Sequence, residues 1–141
     1  HGAVTPQICY AGDVIFRNTE MPLCPHMLFV TDGAFVYAQN NTMDKHVTAG
    51  MWVSEGAMWT PWIHVGDLRA ETECSLFAID ADTFGRTISA FPTEHALNYA
   101  ARFVEFLNSE VTRLSDLRME GQEELLWSVF VEPSGTTPLV R

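Results

Sequence analysis

The side chains best able to do chemistry here are five histidines, three cysteines and a scatter of carboxylates. A metal centre needs imidazoles or thiolates at ligand spacing, and a nucleophile needs a base beside it. His26, His46, His64 and His95 stand far apart, with no H-x-H, no H-E-x-x-H and no C-x-x-C anywhere. The paired histidines of a cupin-like metal strand are therefore missing. G-x-S-x-G, a Walker loop and a dinucleotide fingerprint are missing too. No catalytic residue, no metal site and no bound cofactor are expected. Cys9, Cys24 and Cys74 are odd in number and widely spaced, and read as small, mostly buried thiols in a reducing compartment.

One stretch carries more. Residues 53–70 read VSEGAMWTPWIHVGDLRA and are followed by ETECSLFAIDADTF. They resemble the phosphate-binding cassette of the cyclic-nucleotide-binding domain family, F-G-E-x-A-x-x-x-x-x-P-R-x-A-T-V-x-A, and the strand T-D-C-x-L-x-x-I-D-x-x-x-F that follows it. Without a gap, Glu55 falls on the cassette Glu, Ala57 on its Ala, Leu68 on its Val and Ala70 on the closing Ala. Thr72, Cys74, Leu76, Ile79, Asp80 and Phe84 match the strand. Upstream, Tyr10–Phe16 resembles the family's y-x-P-G-[ED]-x-I opening, and Met27–Val30 up to Gly33 its m-y-x-I-x-x-G strand. The resemblance runs from about Ile8 to Leu117.

Where the family keeps the arginine that pairs with the cyclic phosphate, this chain has His64. The preceding Pro is Ile63, the cassette Gly is Ser54 and the cassette Thr is Asp67. A cyclic phosphate is an anion best held by a permanent cation with parallel donors, which Arg supplies and His does not. Losing such a charged pair costs about 1.5–3 kcal/mol. Asp67 adds repulsion in sequence proximity, and Arg69 lies an odd number of residues from His64, on the opposite side of an extended strand. The resemblance implies candidate ligand contacts at Glu55, at the backbone of Gly56 and Ala57, and at His64 and Val65. Glu55 would meet a ribose hydroxyl, or else merely open the short cassette helix. Trp59 and Trp62 flank the cassette as core or lid packing.

These residues must be positioned by two kinds of element. Short runs at Ile8–Tyr10, Val14–Phe16, Met27–Val30, Phe35–Ala38 and Ser75–Ile79 read as strands, separated by Gly, Asp and Asn turns. Strands at that spacing suggest a compact antiparallel roll or barrel, and the resemblance implies an antiparallel β-roll of jelly-roll topology, a fold that is mainly β with α. Asp80 or Asp82 caps a short helix over Thr83–Ser89 that Pro92 ends. Thr93 caps a long one, along which Leu97, Ala100, Val104, Leu107, Val111 and Leu114 step by three and four. That stripe packs on the roll or, alternatively, pairs with a second copy. The expected division is a cyclic-nucleotide-binding-like domain over 7–120 and a tail over 121–141. Leu125–Val131 is an apolar run that reads as a strand or as more helix.

Eight basic against eighteen acidic residues leave a net charge of −10, which excludes a basic nucleic-acid footprint and attraction to anionic lipid. No apolar run reaches the roughly 18–20 residues of a membrane span. The chain opens His1-Gly2 without Met, as a piece of a longer protein would. The resemblance implies a regulatory, non-catalytic cytoplasmic domain of that protein, with an ion channel the expected parent. In ether-à-go-go-like channels, a strand after the last helix fills the emptied pocket. By that analogy Trp127, Val129 and Phe130 are the candidate intrinsic ligand, and cAMP or cGMP binds poorly. The alternatives are a true cyclic-nucleotide or small-ligand sensor using Glu55 and His64, and a protein-interaction β-roll. The expected partners are the rest of the parent protein, a small-molecule ligand, and a second copy through the 97–114 helix.

Overall fold

Burial alternates along β3 (His26–Asp32), β7 (Asp67–Ala70) and β8 (Cys74–Asp80), which turn Leu28, Val30, Leu68, Ala70, Leu76 and Ala78 inward. A side-chain period of two is what lets a strand bury one face and wet the other. The computed structural model describes residues 2–110 and 113–125.

Two antiparallel sheets of four strands each face one another. One runs β1 (Val4–Cys9), β8, β3, β6 (Trp52–Val53), and the other β2 (Val14–Phe16), β7, β4 (Ala34–Ala38), β5 (Lys45–Thr48). Their inner faces meet in one apolar cluster around Phe35, Tyr37, Val47, Val53 and Phe16. Gly33, at φ +89°, ends β3 against Cys74, where a Cβ would lie 2.5 Å from the Glu73 carbonyl oxygen. Only glycine fits there.

The predicted β-roll is present, with differences at its edges. β1 begins at Val4, ahead of the expected Ile8, β5 and β6 were not foreseen, and β7 takes up the Arg69 end of the stretch expected to be extended from His64. β5 and β6 are short, and β6 is only two residues long, below the length at which alternation can be read. All three cysteines are free; Cys9 and Cys74 are buried and Cys24 is exposed.

The helices named among the described residues are α1 (Gly56–Trp59), α2 (Ala81–Ala90) and α3 (Glu94–Ser109). Asp80 is the cap of α2, its carboxylate accepting from the Thr83 N–H at 2.7 Å, and Thr93 caps α3 by accepting from the Ala96 N–H. The long-helix expectation needs correction. α3 stops at Ser109, so Leu114 lies beyond it, and Leu97 is exposed. The buried face is Tyr99, Phe103 and Leu107, in steps of four. Leu107 of the expected stripe goes down, while Tyr99 and Phe103, outside the stripe, supply the rest of the buried face. That face packs on Ala57 and Trp62 in a second apolar cluster, with Leu114, Met119 and Leu125 against it.

Candidate ligand cassette

The cassette sits between β6 and β7. Ser54 is driven to φ +67°, which turns the chain from β6 into α1 and explains why the related pattern has glycine here. Its Oγ is buried and, among the described residues, has no hydrogen-bond partner. Glu55 precedes α1 in helical geometry and makes no capping bond. Gly56 lies directly under the Trp62 indole, 2.4 Å from where a Cβ would stand. Close approach there brings Trp62 into the cassette.

Five candidate residues fall into two groups. His64 and Val65 converge on a carboxylate that sequence reasoning missed, that of Asp116. It is 2% exposed and accepts from Trp62 Nε1 at 2.6 Å and His64 Nδ1 at 2.8 Å on Oδ1. On Oδ2 it accepts from the Tyr37 hydroxyl at 2.8 Å and the Val65 N–H at 2.9 Å. Because a carboxylate only accepts, His64 carries its proton on Nδ1. The Phe16 ring stacks on the imidazole at 3.7 Å and 6°, fixing its plane. Backbone bonds finish the docking: Ser54 N–H to Asp116 O at 2.6 Å, and an isolated antiparallel bridge between Val53 and Leu117. Gln39 also donates to the Leu114 carbonyl at 2.8 Å.

Glu55 belongs to the second group. Its Oε1 accepts from Trp52 Nε1 at 3.2 Å and from Gln122 Nε2, and its Oε2 from Trp59 Nε1 at 3.2 Å and the Tyr99 hydroxyl at 2.7 Å. A carboxylate offers about four lone-pair sites, so this set fills it. Burial, followed by the neighbouring carboxylate, pushes the phenols of Tyr37 and Tyr99 well above the usual tyrosine range. Both stay neutral donors at ordinary pH.

The Ala57 N–H is spent on the Ser54 carbonyl at 3.1 Å, and Met58 N–H on that of Glu55 at 2.9 Å. Asp67 is exposed and accepts from Asn18 N–H at 2.6 Å; Arg69 is likewise exposed on β7. Trp127, Val129 and Phe130 lie outside the described residues. Between Glu55, Gly56, Asp116 and Leu117 lies a gap of about 10 Å³, no larger than the space a single water occupies, while a cavity of about 170 Å³ opens beside Ser54, His64 and Phe16. Among the described residues, no three His, Cys, Asp or Glu side chains group as metal ligands do. No described helix is long and apolar enough to cross a membrane.

No protein-family model matches the sequence, and no curated protein resembles it. Solved structures do. The C-linker/CNBHD of zELK channels, crystallized in the presence of cAMP, superposes with a TM-score of 0.57 at 17% identity over 83% of this chain. The Sp-2Cl-cAMPS-bound CBD2 of PKAR gives 0.54 at 19% over 84% of this chain and 75% of its own. A protein described under a cyclic-GMP-dependent signalling pathway in bacterial phytopathogenesis gives 0.57 at 20%, covering 73% of this chain and 84% of that one. The chain has the cyclic-nucleotide-binding-domain fold. It spans 46% and 54% of two zELK C-linker/CNBHD chains, about half their length. His64 and Val65 both bond to the Asp116 carboxylate.

Proposed function

We propose that this chain is a regulatory, non-catalytic module of a larger protein, with a cassette closed by its own segment Ser115–Leu117. Asp116 takes the place of a cyclic phosphate, and Glu55 is tied off by Trp52, Trp59, Tyr99 and Gln122 in place of a ribose. The single observation that carries this reading is the saturation of the Asp116 carboxylate by Trp62, His64, Tyr37 and Val65. A tethered carboxylate acts at an effective concentration on the order of millimolar or above. A nucleotide using the same donors must outcompete it, and His64 offers no permanent cation to help. The likeness to the channel CNBHD structures supports an ion-channel-type parent.

The segment is also what a regulator would move. Any influence that favours the undocked segment over the docked one shifts the module between two states, and only that difference in affinity supplies the energy. The decisive experiment is calorimetric titration of the purified chain with cAMP and with cGMP, near pH 6 and near pH 7.5. Silence in all four titrations is expected. Micromolar binding of either nucleotide at either pH would overturn the closed-cassette reading and make the chain a sensor.

A further inference from the structure

Two buried thiols lie outside everything the closed cassette uses. Cys9 ends β1, Cys74 begins β8, and the two stand directly opposite each other in the antiparallel register. Both turn inward to the same apolar cluster, at 7% and 1% exposure. The Asp80 N–H bonds the Ala3 carbonyl at 2.8 Å, so Ala3 and Asp80 form a hydrogen-bonded pair. Counting by twos along the unbroken register makes Cys9 and Cys74 another such pair. Pro6, which has no N–H to give, falls at a position that needs none. The Cα atoms of a hydrogen-bonded pair are about 5.5 Å apart, inside the roughly 4.4–6.8 Å that a disulfide spans.

We propose that Cys9 and Cys74 are a modification site, a thiol pair that a peroxide converts reversibly into a cross-strand disulfide. Both cysteines are free in the structure. The Cys74 Sγ donates toward the carbonyl oxygens of Thr72 at 3.1 Å and Ala34 at 3.2 Å, and turns from them to reach Cys9. Burial first, then the Cys74 sulfur and then Asp13, push the Cys9 thiol up, which keeps the pair reduced until an oxidant is sustained. Cys9, the less buried of the two, reacts first. Its thiolate attacks one peroxide oxygen: an S–O bond forms, the O–O bond breaks, and hydroxide leaves to become water with the proton Cys9 gave up. Cys74 then attacks the Cys9 Sγ. The S–S bond forms, the S–O bond breaks, and a second water leaves with the Cys74 proton. Two thiols lose two electrons in all, and one peroxide gains them. The Cβ atoms of a hydrogen-bonded pair stand about 5.5 Å apart where a disulfide wants about 3.8 Å, so the bond draws the two strand ends together. A bond made against the sheet is more easily reduced than a relaxed one, which suits a reversible modification. It would tie the edge strand β1 to β8 and close a loop that holds the whole run from Tyr10 to Glu73.

The inference goes beyond the proposed function and rests on neither Glu55 nor Asp116, so the nucleotide titrations do not decide it. The test treats the whole folded chain, as Cys24→Ser, with hydrogen peroxide, then unfolds, alkylates and digests it for mass spectrometry. Cys24 is exposed, and replacing it leaves only the pair. The peptides carrying Cys9 and Cys74 are expected to be recovered linked, two hydrogens lighter than their sum, with neither sulfur alkylated. Dithiothreitol is expected to release both thiols. The same treatment in urea is expected to give far less of the bond, because the fold and not the chain holds the pair opposed. Both sulfurs alkylated after peroxide would overturn the proposal. So would oxygen that dithiothreitol does not remove on either sulfur in place of the bond, a disulfide between two copies of the chain, or equal yields folded and in urea.

Discussion

At the scale of single residues, two carboxylates organise the cassette, and only one was legible in the sequence. Glu55 and His64 stand in a gapless run that a known pattern covers. Asp116 is 52 residues from His64, in an S-D-L-R stretch with no spacing relation to anything it touches. Nothing short of the fold brings Tyr37, Trp62 and Asp116 together. Asp116→Ala would leave Tyr37, Trp62, His64 and Val65 with orphaned buried donors, and is expected to cost about 3–5 kcal/mol in urea unfolding. Asp80 gives a separate pH prediction. Hydrogen bonds from Thr83, side chain then backbone, with smaller help from His26 and Arg86, hold its carboxyl below the usual range. A lowered folded pKa contributes stability that is present above the unfolded value of about 3.9 and is lost as pH falls through the folded value. Asp80→Asn keeps a good N-cap but loses that dependence. The stability gap between the two proteins should be constant above about pH 5 and shrink below about pH 4, as read from unfolding midpoints.

Among the elements, strands with clear alternation or dense apolar runs were readable, and β2 was read at its observed limits. β6 escaped because two residues are too few for alternation to be read. α3 was readable as a helix but not in its face or its end. Docking on Trp62 and Ala57 buries Tyr99 and Phe103 together with Leu107 of the expected stripe. The turn into α1 offers the clearest element-level prediction. Ser54 sits at φ +67° with a buried, unpartnered Oγ. Ser54→Gly removes both penalties and is expected to stabilise by about 1 kcal/mol, net of glycine's extra chain entropy. A loss of stability on thermal unfolding would mean that the hydroxyl stabilises the turn.

Across the whole molecule, the segment after α3 is part of the roll and not an appendage to it. Leu117 belongs to the same apolar cluster as Phe35 and Val53, while Leu114 and Met119 pack in the cluster under α3. Leu117→Ala should therefore cost about 2–5 kcal/mol, the range of a core truncation and far above that of a loose tail. A value near zero in chemical unfolding would detach the segment from the core. The β-roll and its helices were foreseen from the sequence; the expected segment Trp127–Phe130 lies outside the described residues, and Asp116 was not singled out. An apolar run draws attention, whereas a buried Asp is recognisable only by its partners. The most direct test of the closed cassette is anion rescue of Asp116→Ala. Its melting temperature is measured in formate and in chloride at matched ionic strength, beside that of the unaltered chain. The closed cassette predicts that formate, a detached carboxylate, raises the melting temperature of the variant and leaves that of the unaltered chain where chloride puts it. An equal response of the two proteins to formate would contradict it.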